Sequence, residues 1–268
     1  MLVVTNMAAM RAANAARSAQ RQAAISMERL STGKRINRAS DDPAGLAIAS
    51  QMTAQIRGMN QAIRNAGDGI ARLQTAESVL GEVTNMMQRI RELAVQSASG
   101  TYSDDDRANL QIEATELSEQ INQTLTGTRF NGETLFALSP ASAVEVKIQT
   151  GANAEDTVTL TTDAIDLDTV DLSTADGATA ALDTMDDALK AVGARRAALG
   201  ASISRLDSVI NNLTTNVSNL TDARSRIEDT DYAAETMALA KAQILAQASM
   251  TMLAQANQNQ KLILQLLR

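Results

Sequence analysis

Residues 182–227 contain the pattern that decides the fold, and they read LDTMDDALKAVGARRAALGASISRLDSVINNLTTNVSNLTDARSRI. Apolar side chains recur there at alternating steps of three and four residues, the spacing of a coiled-coil seam. Only Arg196 and Arg224 interrupt the seam. At about 1.5 Å per residue, this stretch predicts a helix of ~69 Å, which needs a partner of equal length. The apolar positions are Leu182, Met185, Leu189, Val192, Leu199, Ile203, Leu206, Ile210, Leu213, Val217, Leu220 and Ile227.

A second heptad pattern lies earlier in the chain and provides that partner. A third helix is indicated by Ser103, which can cap a helix start, and by the three aspartates at 104–106 that follow it. We prefer this helix start to a cation site, because it explains the aspartates without a metal. The fold predicted is mainly α, a long antiparallel coiled-coil helical rod. The heptad positions are Met59, Ala66, Leu73, Leu80, Met87 and Ala94, and the third helix carries Leu110, Ala114, Leu117, Ile121 and Leu125 on one face.

Between the long helices the periodicity changes to two, which is typical of β-strands. Residues 144–148 and 157–161 alternate apolar and polar side chains, and the turn-forming segment 150–156 separates them. We therefore predict a small β-hairpin insert. The aspartates at 163, 166, 168, 171 and 176 lack the spacing of a calcium loop, so we interpret them as a solvated acidic loop.

The composition excludes several classes of function. The chain has 268 residues, no Cys, His or Trp, and only four aromatic residues. A thiolate or imidazole metal site, a disulfide framework and a His-based nucleophile are thereby excluded. The net charge of -7 and the scarcity of aromatics disfavour nucleic acid. A slim rod offers no pocket that would raise the pKa of a carboxylate for acid–base catalysis. We therefore predict neither enzymatic activity nor a cofactor.

Both ends of the chain are helical and amphipathic, from Met7 to Leu30 and from Tyr232 to Arg268. Neither has a core of its own, so we expect these helices to pair with each other or with other copies of the chain. No apolar run reaches the roughly 20 residues that span a bilayer, and we expect no membrane insertion. We also find no cleavable secretory signal at the N-terminus.

Five ordered segments of the chain are distinctive. They are ERLSTGKRIN at 28–37 together with DDPAGLAIA at 41–49, QRIRELAVQ at 88–96, RFNG at 129–132, RSRIEDTDYA at 224–233, and the C-terminal stretch with QANQ at 255–258 and LLR at 266–268. They resemble bacterial flagellin, the filament subunit of the flagellum, and occur in the order expected for that family. The family often has Pro shortly after the QANQ segment. This chain has Gln260 in that region, so we expect its last helix to continue without a break.

The resemblance implies a short flagellin that lacks large outer domains. It implies a terminal, inner-tube domain at 1–43 and 229–268, a long-helix domain at 44–137 and 178–228, and a small insert at 138–177. A subunit of this kind polymerises into the extracellular flagellar filament for swimming motility. Its polymerisation seam is expected to comprise Leu30, Ile36, Leu245, Leu253, Ile263, Leu264 and Leu267.

The resemblance also implies partners. They are the flagellar type III export apparatus, a chaperone that holds the C-terminal helix, a filament cap protein and hook-junction proteins. Some family members contact an innate-immune Toll-like receptor through residues that align with Arg89, Leu93 and Glu113. Two alternatives stay open, namely the hook-filament junction protein and a secreted binding module that does not polymerise.

Overall fold

The computed structural model describes residues 5–137, 143–163 and 170–266, and within them the chain is mainly α, as predicted. The described part contains five helices and four short strands. The helices are α1 (Met7–Thr32), α2 (Pro43–Ala98), α3 (Asp104–Gly127), α4 (Ala175–Glu228) and α5 (Tyr232–Leu266). The strands are β1 (Arg129–Phe130), β2 (Glu133–Thr134), β3 (Ala143–Gln149) and β4 (Thr157–Asp163).

Local sequence accounts for the ends of the helices. Pro43 opens α2, where a missing N–H costs nothing, and the Asp42 carboxylate accepts the N–H of Gly45 at 2.9 Å. A capping box begins α3, because Ser103 and Asp106 each accept the other's backbone N–H. Gly33 ends α1 with a φ of 71°, a left-handed conformation that glycine adopts without strain.

The chain forms two compact units, residues 1–54 with 218–268 and residues 55–217. We call them the terminal unit and the central unit. Both α2 and α4 contribute to each. None of the helices in the described ranges has a segment long and apolar enough to span a bilayer.

The core of the central unit includes the pair of heptad seams predicted from sequence, and Ala114, Ile121 and Leu125 of α3 are buried in the same core. The buried positions follow every seventh residue on both helices: Ala66, Leu73, Leu80, Met87 and Ala94 on α2, and Met185, Val192, Leu199 and Leu206 on α4. Two ion pairs show that the helices run antiparallel. Arg91 Nε lies 2.7 Å from Asp186 Oδ1, and Arg196 NH2 lies 3.1 Å from Glu77 Oε1. The Arg196 interruption of the seam is thus accommodated by a carboxylate on the facing helix.

The α2–α3 turn and the segment before α4 are held by buried polar contacts. The Arg107 guanidinium is mostly buried and donates to the carbonyls of Ser97, Ser99 and Tyr102. The Ser97 hydroxyl donates to the Leu172 carbonyl at 2.6 Å. The bond from Arg107 to the Ser97 carbonyl satisfies an acceptor in the last turn of α2 that the helix's own hydrogen bonds leave open.

The predicted hairpin is present, with Val146 opposite Leu160 and Ile148 opposite Val158. Val158 and Leu160 belong to the core of the central unit. The hairpin lies against α2, where Asn65 Nδ2 donates to the Gln149 carbonyl at 3.2 Å. A second, very short hairpin joins β1 to β2 through Asn131 and Gly132, which both have positive φ, as a tight two-residue turn requires.

Candidate functional site

The terminal unit places α1 and α5 side by side along an alanine-rich seam. Small side chains allow the two backbones to approach closely. The helices run antiparallel, because Asn6 Nδ2 donates to the Ala256 carbonyl at 3.1 Å and Arg29 NH1 lies 3.6 Å from Glu235 Oε2. The buried seam residues are Ala16, Ala19 and Ser26 on α1 and Ala242 and Ala246 on α5.

The segments that connect these helices to α2 and α4 are joined to each other. Lys34 and Asp229 form an isolated antiparallel β-bridge. The Arg35 N–H donates to the Glu228 carbonyl at 2.6 Å, and the Thr230 N–H donates to the Gly33 carbonyl at 3.0 Å. These contacts anchor one end of the α1–α5 pair at a defined register.

The outward faces of α1 and α5 are unusually apolar for solvent-exposed helices. Large exposed apolar side chains are Met7, Met10, Ile25 and Met27 on α1 and Tyr232, Met237, Ile244, Leu245, Met250, Met252 and Leu262 on α5. Patches of this kind mark interaction sites. Two open grooves of about 500 and 540 Å³ also run along the pair, and alanines make up about half of the lining of each. The first also contains Leu245 and Lys241, and the second Met252 and Arg11, together with other polar side chains.

The residues predicted to form the polymerisation seam differ in exposure. Leu245 is 49% exposed on α5, whereas Leu30 and Leu253 are half-buried. Ile36 is only 2% exposed, because it packs inside its own chain beside Gly45, where a Cβ atom would lie 2.8 Å from Ile36 Cδ1. Ile263 and Leu264 belong to the helical backbone of α5, but their side chains, like the whole of Leu267, lie outside the described residues.

The three candidate receptor residues lie on α2 and α3 of the central unit. Arg89 donates to Glu113 at 2.9 Å and to Glu92 at 3.1 Å, which makes an exposed charged cluster across the two helices. The hydrogen bond to Glu113 raises the pKa of Arg89 above its usual value. Leu93 is 1% exposed and belongs to the core, so the structure brings Arg89 and Glu113 together at the surface and places Leu93 beneath them.

The acidic side chains singled out in the sequence have local structural partners. The Ser103 hydroxyl donates to Asp106 and lowers the pKa of that carboxyl. The Ser173 side chain and backbone do the same for Asp171. In the described ranges, no three His, Cys, Asp or Glu side chains are grouped so that they could hold a metal ion. Asp166 and Asp168 lie outside the described residues.

Sequence reasoning missed most of the exposed methionines of the terminal unit. Heptad and alanine patterns identify the faces that pair within the chain, and these methionines are exposed outside that buried seam, with Met252 lining a groove of the pair. A helical projection of α1 and α5 would have found them, because large apolar side chains outside the pairing seam of a surface helix are not explained by intramolecular packing.

Two family models match the chain. The bacterial flagellin N-terminal helical region matches residues 3–141, and the bacterial flagellin C-terminal helical region matches residues 182–267. Among similar curated proteins, a flagellin of Halalkalibacterium halodurans is 43% identical over 90% of both chains. The flagellar filament 33 kDa core protein of Treponema phagedenis is 38% identical over the full length of both.

Solved structures resemble the chain at the level of the fold. A putative flagellar hook-associated protein from Vibrio parahaemolyticus superposes with a TM-score of 0.60, at 15% identity, over 70% of this chain and 100% of that one. A crystal structure of Bacillus cereus flagellin matches with a TM-score of 0.49, at 28% identity, over 60% of this chain and 94% of that one.

Proposed function

The chain belongs to the bacterial flagellin family, and from this premise we propose that its paired terminal helices are the segments through which it polymerises. It is a structural subunit of the flagellar filament and serves motility. The observation that carries the proposal is the apolar outer surface of α1 and α5, on helices whose facing surfaces are already used within the subunit.

Self-association would remove this apolar surface from water. Each buried apolar Å² contributes roughly 25 cal/mol, so the row of side chains on α5 represents a large driving force. Repeated contacts between different faces of identical subunits generate a helical filament rather than a closed ring. Leu245 and Leu253 would serve this contact directly, and the resemblance assigns Ile263, Leu264 and Leu267 to the same contact. Leu30 and Ile36 support it by holding α1 and its connection to α2 in place.

The domain assignment separates the terminal helices proposed to polymerise from the long central helices. Residues 1–43 and 229–268 would form the inner tube, and residues 44–137 and 178–228 the surrounding long-helix shell. Residues 138–177 would form the small insert. The absence of His, Cys and a metal-binding motif supports a purely structural, non-enzymatic role without a cofactor.

The partners proposed from the resemblance follow from the same terminal helices. An exposed apolar α5 is a suitable target for an export chaperone, which would keep it from associating before secretion. Export through the flagellar type III apparatus would place the subunit outside the cell, where a cap protein and hook-junction proteins meet the filament ends. The Toll-like receptor proposal rests on the exposed Arg89–Glu113 cluster. A receptor reporter assay that shows no response to monomeric protein would refute it.

The test of the main proposal is seeded assembly followed by electron microscopy. We expect long tubes of uniform diameter from the intact chain and none from a chain that lacks residues 249–268, because several turns of α5 are lost. A second comparison uses two single substitutions, Leu245→Asn and Ile112→Asn, in the same assembly assay. Both side chains are exposed, but only Leu245 lies in the terminal unit, so growth should fail with the first and continue with the second.

Other outcomes would favour the alternatives. Short stubs from the intact chain would favour the hook-filament junction protein. Persistent monomers that still activate a receptor, with no effect of truncation, would favour a non-polymerising binding module. Equal loss of growth in Leu245→Asn and Ile112→Asn would contradict the assignment of the contact to the terminal helices.

A further inference from the structure

The described methionines range from fully buried to mostly exposed, and Met52 of the terminal unit is half-buried. Among the described residues, the six exposed methionines are between 45 and 68% exposed, and all belong to the terminal unit. In the central unit, Met87 and Met185 are at most 1% exposed, and Met59 and Met86 are half-buried. The exposed set is Met7, Met10, Met27, Met237, Met250 and Met252.

Thioethers are the most readily oxidised groups of this chain, because it has no Cys, His or Trp. A hydroperoxide oxidises methionine by transferring one oxygen atom to sulfur. With hydrogen peroxide the products are methionine sulfoxide and water, so sulfur loses two electrons and the peroxide O–O bond breaks. Methionine sulfoxide reductases return the thioether at the expense of a dithiol.

The positions of these methionines connect oxidation to subunit contact. Met237 and Ile244 are seven residues apart, as are Leu245 and Met252, so each pair lies on one face of α5 two turns apart. Methionine in such rows packs adaptably against other apolar side chains. A sulfoxide in the same place adds a polar oxygen that has no partner once the surface is buried.

We propose that Met7, Met10, Met27, Met237, Met250 and Met252 form a set of reversible oxidation sites, and that their oxidation by hydroperoxides prevents the free subunit from joining a filament. The second half of this proposal rests on the proposed function. Contact with neighbouring subunits protects the same sulfur atoms, so the free subunit is the sensitive form.

The experiment treats purified monomer with limiting hydrogen peroxide, maps each methionine by peptide mass spectrometry, and then measures seeded growth by electron microscopy. We expect sulfoxide at the six exposed positions while Met87 and Met185 stay reduced. Growth should slow by at least about tenfold, because each new contact buries unpaired sulfoxide oxygens. Methionine sulfoxide reductases with dithiothreitol should restore growth.

The matched control replaces all six exposed methionines by leucine, which preserves side-chain volume and cannot be oxidised. This variant should grow equally well before and after peroxide. Equal oxidation of Met87 and Met185, or unchanged growth of oxidised wild-type protein, would overturn the inference. If untreated wild-type protein fails to grow on seeds, the proposed function itself fails, and the peptide map still decides whether the exposed set is selectively oxidised.

Discussion

The contact between Gly69 on α2 and Leu206 on α4 allows a quantitative test of the coiled-coil core. Leu206 is fully buried. A Cβ atom added at Gly69 would lie 3.3 Å from Leu206 Cδ1 and 3.3 Å from Ile148 Cγ1 on the hairpin. Gly69 of α2 thus lies close to both α4 and β3, and we expect Leu206→Ala and Gly69→Ala to be energetically coupled.

The size of each effect follows from the packing. Truncation of Leu206 to Ala removes three buried carbons, worth about 2.4 kcal/mol at ~0.8 kcal/mol each, and the remaining cavity raises the loss to about 3–5 kcal/mol. Gly69→Ala gains about 1 kcal/mol of helix propensity, and the tight contact with Leu206 offsets that gain in the wild-type background. We expect the single Gly69→Ala change to be nearly neutral.

In the Leu206→Ala background the same methyl group enters vacated space. The contact with Ile148 Cγ1 remains, but most of the propensity gain is then realised and part of the cavity is filled, so Gly69→Ala should recover about 1 kcal/mol there. The resulting coupling energy of about 1 kcal/mol is within the range measured for contacting residues.

The assay is urea denaturation of the four proteins of this cycle, followed by circular dichroism and by hydrogen exchange of the α4 amides. Ile112→Ala, at a position that is 63% exposed, is the control and should change the free energy of unfolding by less than about 0.5 kcal/mol. If Gly69→Ala has the same effect in both backgrounds, the proposed packing of α2 against α4 at this level is refuted.

Two further predictions concern polar contacts of the central unit. Ser103→Ala removes the capping box of α3, so the free energy of unfolding should fall by about 1 kcal/mol and the pKa of Asp106 should rise toward its ordinary value in an NMR titration; an unchanged pKa would contradict the assigned hydrogen bond. The hydrogen bond from Arg91 lowers the pKa of Asp186 in the folded protein below 3.8, its value in the unfolded chain. The ion pair therefore contributes its full stabilisation above pH 3.8 and loses it as the pH falls through the pKa of Asp186 in the folded state. The difference in urea midpoint between wild-type protein and Asp186→Asn should therefore narrow on acidification from pH 7 to pH 3, and a constant difference would contradict this reasoning.

The long helices and the hairpin were predictable because their signals are local and repeated. The heptad spacing of positions such as Leu73, Leu80 and Met87 predicts a buried helix face, and the structure confirms that they are buried. The unbroken α5 followed in the same way from Gln260, since no proline interrupts the stretch. The short β1–β2 hairpin was not predicted, because two-residue strands are too short to show an alternation.

The candidate sites were less accessible to sequence reasoning. Leu93 and Arg89 belong to one continuous motif, yet the first is buried and the second is paired with Glu113 on another helix. Ile36 was assigned to an intermolecular seam, and the structure shows that its side chain packs against its own chain near Gly45. In each case the sequence motif includes the residue, but only the packing of the helices decides whether its side chain is buried in its own chain or exposed.

The sequence by itself therefore determined the helical class, the heptad seams of α2 and α4 and the family, because periodicity and ordered motifs depend only on neighbours along the chain. The tertiary structure decided which faces remain open. Alanine seams bring α1 and α5 so close that their larger apolar side chains, methionines above all, are left on the outside. The pairing of these helices, which are more than 200 residues apart in sequence, was an expectation from their amphipathic character, but no local pattern encodes which faces meet and which side chains stay exposed.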